Sequence, residues 1–245
     1  MLRKLITLLV LTFTVVSCQF TETMTINEDG SGRMSISMDL SEMMAIGGEM
    51  AKDSTMVKSD TIISFKEIFE EKKDSIAQLS AKEQRQLKAL EDYKIRMVTD
   101  PETNKLIVDV FIDFKNVSEA NDLMKGFENT ANLIPGMDDG DGESDDGDDN
   151  NVGVNYSFKK GIFKRDAYII DEEKHKTQID SIASVESFMS GMTYKLKYTF
   201  PRKIKNSSVE DATYSLDGKT IEMQRTFIEY MKNPDVMDLE IELEK

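Results

Sequence analysis

From Phe20 onward the chain alternates apolar and polar positions with a period of two. Phe20, Glu22, Met24 and Ile26 share one side, and Thr21, Thr23, Thr25 and Asn27 share the other. After Asp29-Gly30-Ser31-Gly32 the alternation resumes with Met34, Ile36, Met38 and Leu40. Two alternating runs about a glycine-rich turn predict a β-hairpin, because glycine supplies the positive φ that tight turns need. The same period marks Tyr93 to Met97, Leu106 to Phe114, Val154 to Phe158 and Phe163 to Ile170. It is cleanest at Met192, Tyr194, Leu196, Tyr198 and Phe200, where Pro201 stops the strand. Tyr214 and Leu216, the Asp217-Gly218 turn, and Ile221 and Met223 form a further hairpin. Met237, Leu239, Ile241 and Leu243 alternate with acids at the end of the chain.

Helical spacing replaces the alternation elsewhere. Residues 41–60 are methionine-rich around Gly47-Gly48 and read as a short helix and a loose segment. Ser64 and Glu67, then Ser80 and Glu83, have capping-box spacing, which predicts two helices or one broken helix over 64–91. Ser118 to Leu133 and Asp171 to Ser190 also read as helical. Each strand has one wet face, so the expected class is α+β, an antiparallel sheet with helices packed on one face.

Residues 136–152 interrupt all periodicity. Asp138, Asp139, Asp141, Glu143, Asp145, Asp146, Asp148 and Asp149 stand there with no basic residue among them. Such a run cannot bury apolar area, and it is expected to be a disordered, solvated loop. A calcium loop of the EF-hand type needs Gly at its sixth position. Counting from Asp139 puts Ser144 there, and counting from Asp141 puts Asp146 there, so neither register fits.

The first residues carry a different pattern. Arg3 and Lys4 precede an uncharged stretch from Leu5 to Val16. A membrane-spanning helix needs about 20 apolar residues, so this stretch is too short and reads as a signal peptide over 1–17. Val15-Val16-Ser17-Cys18 resembles the lipobox of bacterial lipoproteins, in which the cysteine is acylated and becomes the first residue of the mature chain. The resemblance implies lipidation at Cys18 and an anchor at 18–19. It also implies a cell-envelope location, on the outer membrane facing the periplasm. More than one acyl chain is what stable anchoring requires.

The Asp29-Gly30-Ser31-Gly32 hairpin close behind that cysteine resembles uncharacterised lipoproteins of Bacteroidetes-type bacteria. Together with Phe200-Pro201 and the hairpin after it, it is similar to LppM-type lipoprotein domains. That similarity implies a single α+β domain over 20–245 with 136–152 as an inserted loop, in a tethered envelope protein without established enzymatic activity that binds lipids or other amphiphiles.

Composition narrows the chemistry. The 245 residues carry a net charge of −15, one His, one Cys and no Trp. A zinc site of Cys and His, a disulfide and any catalysis by two histidines are excluded. The acidic balance opposes phosphate binding and makes nucleic acid a poor partner. No nucleophile elbow, P-loop or dinucleotide fingerprint is present. Asp109 and Asp113 leave the same strand face about 13 Å apart, at roughly 3.3 Å per residue. Paired glycosidase carboxylates stand about 5–9.5 Å apart, so these two read as solvent-facing acids. His175, between charged neighbours, reads as an exposed helix residue. Met24, Met34, Met38, Met43, Met44, Met50 and Met56 fit core filler, a pliable amphiphile-binding surface, or Cu(I) ligation. No catalytic residue, cofactor or metal site is therefore expected. The candidate partners are the membrane, an amphiphile, or an envelope protein on which the chain docks as a structural or assembly factor.

Overall fold

The computed structural model describes residues 19–41, 57–88, 90–121, 151–182 and 186–245. The chain opens with the hairpin of β1 (Gln19–Ile26) and β2 (Gly32–Asp39), paired from Gln19 with Asp39 to Ile26 with Gly32. Gly30 takes φ +84°, and Asp29 accepts from the Ser31 backbone N–H and hydroxyl. Gly32 serves a second purpose. A Cβ there would collide with the Thr25 carbonyl and the Phe114 ring, so only glycine lets the strands approach so closely.

β3 (Ser59–Ser64) leads into α1 (Phe65–Glu71), whose N-terminus is closed by the Ser64–Glu67 capping box. The short α2 (Lys73–Ile76) and α3 (Ala81–Lys88) follow, then β4 (Lys94–Asp100) and β5 (Lys105–Phe114). Val117–Ala120 form a 3-10 turn, and β6 (Val152–Lys159) and β7 (Ile162–Ile169) make a second hairpin. α4 (Glu172–Ile182) and α5 (Glu186–Met189) precede β8 (Thr193–Thr199). β9 (Ile204–Ser207), β10 (Thr213–Tyr214), β11 (Thr220–Thr226), α6 (Phe227–Lys232) and β12 (Leu239–Leu243) complete the described chain.

The strands form two sheets. The larger runs β10-β11-β8-β1-β2-β5-β4-β3, and the smaller runs β6-β7-β12-β9. Two expectations are corrected here. The larger sheet is mixed, because β1 lies parallel to β8 from Gln19 beside Thr193 to Thr25 beside Thr199. Alternation reports which face is wet and not which way a neighbour runs, so periodicity could not distinguish the two directions. The inner face is also covered chiefly by the smaller sheet. Phe163 of β7 packs 5.4 Å from Tyr198 and 5.3 Å from Phe200, ring centre to ring centre. The helices have a lesser part, with Phe65 and Ile68 of α1 joining the same core. The broad α+β class holds, with sheet dominant.

The outer face of the larger sheet is ionic. Arg33 holds Asp113 through two hydrogen bonds of 2.6 and 3.0 Å, and Arg96 bridges Asp60 and Asp109. Phe111, on the same face as the two aspartates, is buried beneath Arg33, whose guanidinium lies 5.0 Å from the ring centre. Among the described residues no helix is long and apolar enough to cross a membrane.

Candidate functional site: a buried carboxylate and an outer cleft

Glu22 sits in the apolar register of β1, between Phe20 and Met24, and is 1% exposed. Opposite it, Arg165 holds the equivalent place on β7 between Phe163 and Ala167, and is 2% exposed. Their side chains meet at the interface of the two sheets, Arg165 Nη2 to Glu22 Oε2 at 3.3 Å. Three tyrosines complete the cluster. Tyr156 of β6 donates to Oε1 at 2.6 Å, Tyr194 of β8 donates to Oε2 at 2.7 Å, and Tyr198 of β8 donates to Oε1. Each carboxylate oxygen therefore receives two donors, close to the capacity of an ionised carboxylate. Arg165 Nη1 donates to the Met237 carbonyl at 3.1 Å, and its guanidinium stands 5.9 Å from the Tyr230 ring centre. Its Nε finds no acceptor among the described residues.

The electrostatics follow from this enclosure. Burial by itself would raise the pKa of Glu22. The charge of Arg165 and the hydroxyls of Tyr156, Tyr198 and Tyr194 outweigh that and hold it below the usual carboxylate value. Burial pushes all three tyrosine hydroxyls well up, and the Glu22 charge pushes them further. Burial opposes the charge on Arg165, yet Glu22 more than restores it. The result is a fixed ion pair within neutral donors. A tyrosine raised in this way is a poor nucleophile, and a carboxylate with four donors has no lone pair free for a substrate proton.

The residues singled out by sequence are elsewhere. Cys18, Met43, Met44, Met50 and Met56 lie outside the described residues, as do 136–150 of the acidic segment. The far boundary of that segment is corrected, since Val152 is buried and begins β6. Met24 and Met34 are buried in the core and Met38 packs against it. Asp109 and Asp113 form surface ion pairs and do not converge on a common point. His175 overturns its expectation. It is 7% exposed, and its Nε2 lies 2.7 Å from the Met231 carbonyl, which ties α4 to α6. Charged sequence neighbours concealed one helix face that turns inward. Among the described residues no cluster of His, Cys, Asp and Glu is arranged to hold a metal ion.

The alternation of β1 places Glu22 on the apolar face without indicating what it meets there. The signal was available. A glutamate in the inward register of one strand and an arginine in that of another require each other, because an unpaired buried charge is strongly unfavourable.

Beyond the network, a cleft of about 520 Å³ opens along the smaller sheet. Asn155, Ser157, Lys164, Asp166, Asp238 and Glu240 wall it, and Tyr156 and Arg165 of the network and Leu239 also line it. Lys164 pairs with Glu240 at 2.6 Å. Burial raises the pKa of Asp238, the charges of Asp166 and Asp235 add to the rise, and the Ala167 backbone N–H resists it. The cleft thus presents both signs of charge together with hydroxyl and amide groups.

No family model matches the chain. No curated protein matches it either. Among solved structures, the NMR structure of the folded domain of Mycobacterium tuberculosis LppM is a distant neighbour, with a TM-score of 0.42 and 9% sequence identity over 93% of this chain and 89% of that one.

Proposed function

We propose that the chain is a non-catalytic lipoprotein of the cell envelope. Acyl chains on Cys18 hold it in the membrane, and its two-sheet domain binds an amphiphile by the polar head. The observation that carries this reading is the contrast between the saturated interior and the open cleft. The Glu22 cluster is sealed and its carboxylate offers no free valence, so it supports a structural role. The cleft instead offers paired charges and hydroxyls to solvent, which match a zwitterionic or hydroxylated head better than an acyl tail. The anchoring half of the reading rests on Val15-Val16-Ser17-Cys18 and the apolar stretch before it. The membrane proposed for it is the outer membrane, on the side facing the periplasm.

The test is native mass spectrometry with organic extraction on residues 19–245 released from a bacterial envelope. A lipid at near-unit occupancy, reduced in Lys164→Met and Asp166→Asn proteins, is the expected result. An empty monomer would overturn the amphiphile assignment. Hydrolase activity abolished by a single acid substitution would overturn the non-catalytic one.

A second reading, docking on an envelope protein, has its own observation. β3 is an edge strand of the larger sheet, and Ile62 on it is 58% exposed. Exposed strand edges are templates for pairing with another chain. A stoichiometric crosslinked complex lost on Ile62→Lys would favour that reading over the amphiphile.

A further inference from the structure

The distance between the lipid anchor and the first strand is one peptide bond. β1 starts at Gln19, which is already paired with Asp39 on one side and Thr193 on the other. Consecutive Cα atoms are about 3.8 Å apart, so Cys18 lies within that distance of a residue built into the middle of an eight-stranded sheet. A single peptide bond joins the acylated residue to a strand that is paired on both sides. We propose that the domain is held against the bilayer by the end that carries Gln19, in a fixed orientation, with its opposite end turned away from the membrane. This rests on the lipidation of Cys18 proposed above.

The strand pairings say which residues lie at each end. At the Gln19 end, Thr193 starts β8 beside Gln19 and pairs with Thr226 at the end of β11. Gly191 and Met192 lead into that point, and the Phe227 N–H bonds to the Met192 carbonyl. Phe227 begins α6 and stacks 4.7 Å from Phe20. α6 in turn receives His175 of α4, and α4 begins just beyond Ile169 and Ile170, which are 38% and 44% exposed. Along β7, Phe163 packs on Phe200 and Arg165 on Glu22, so the strand runs toward the anchored end, where the boundary between headgroups and acyl chains would cover the two exposed isoleucines.

At the other end lie the 27–31 turn, Pro201 to Lys203, and the Ser215–Lys219 turn. That last turn is joined to β8 and β9 by the Phe200 N–H to Lys219 and Ile204 N–H to Gly218 bonds. Leu216 is fully exposed at its tip. The seven steps from Gln19 to Ile26 separate the two ends by about 23 Å, at roughly 3.3 Å per residue. A domain on a long disordered linker would tumble and show all faces to the membrane equally.

The experiment uses the full lipidated chain in vesicles of phosphatidylethanolamine and phosphatidylglycerol that contain a headgroup nitroxide lipid. Cys18 is the chain's only cysteine, and acylation blocks it, so a single introduced thiol takes the fluorophore. Gly191→Cys has open space for a side chain, and Leu216→Cys is fully exposed. Quenching several-fold stronger at 191 than at 216 is the expected result. A ten-residue Gly-Ser insertion between Cys18 and Gln19 should bring the two labels close to equality. Equal quenching without the insertion, stronger quenching at 216, or no response to the insertion would each overturn the orientation. The intact mass and flotation of the same samples separate the two readings. A chain that is not acylated overturns the lipoprotein reading and this inference with it, whereas an acylated, floating chain with equal labels overturns this inference alone.

Discussion

Two sets of ion pairs in this molecule use the same chemistry in opposite settings. Arg33 and Asp113 meet on the outer face of the larger sheet with good two-point geometry, and their side chains are 58% and 51% exposed. Glu22 and Arg165 meet between the sheets at a longer 3.3 Å, with side chains 1% and 0% exposed. The shorter pair is the weaker one. Water screens it, and holding two long side chains offsets much of the attraction. The buried pair carries the larger consequence because neither charge can return to water when its partner is lost. It joins β1 of one sheet to β7 of the other, and the tyrosines of β6 and β8 close it from both sides. The Arg33–Asp113 pair stays within one sheet, whereas the Glu22–Arg165 pair crosses between the two.

The largest effect should come from removing one buried charge. Arg165→Met leaves Glu22 uncompensated and is expected to destabilise the fold by about 3–5 kcal/mol in chemical denaturation. Loss below 1 kcal/mol would show that the carboxylate is already neutral or hydrated. Tyr194→Phe removes one hydroxyl donor to a charged acceptor and should lose about 1.5–3 kcal/mol. The Tyr194→Phe and Arg165→Met changes should be non-additive, since both act on the same carboxylate.

The pH dependence sharpens the comparison. Glu22 has a folded pKa below its unfolded one, so its contribution is complete above the ordinary carboxylate range and is lost as pH falls through the lower folded value. The stability gap between wild type and Glu22→Gln should accordingly be flat near neutrality and shrink in acid. The tyrosines act with the opposite sign. Their folded pKa values are raised, so their contribution is complete below about pH 10 and is lost as pH rises further. A gap that widened in acid would contradict an ionised Glu22. The smallest effect belongs to the surface, where Asp113→Asn should change stability by no more than about 1 kcal/mol and respond to salt.

Legibility in the sequence followed the same division between local and distant causes. The first hairpin is readable because alternation and the 29–32 turn are local, and β8 is readable because the five apolar residues from Met192 to Phe200 and Pro201 mark it. The strand Ser59–Ser64 was hidden beside a methionine-rich stretch, and Ile204–Ser207 was too short to show a period. α6 does carry a local mark, since Thr226 and Glu229 at its start form a capping box whose spacing is visible in the sequence. The parallel placement of β1 beside β8 leaves no local trace. Glu22 was visible on the apolar face of its strand, but its partner lies 143 residues later, and no periodicity spans that distance. His175 failed for the converse reason, because its neighbours in sequence are not its neighbours in space.

The proposed membrane attachment rests on the lipidation of Cys18. The most direct measurement is the mass of the N-terminal proteolytic peptide from chain extracted from bacterial membranes. The account predicts a peptide that begins at Cys18 and carries two or three acyl chains. A peptide with unmodified Cys18, or one that begins at any other residue, would contradict it.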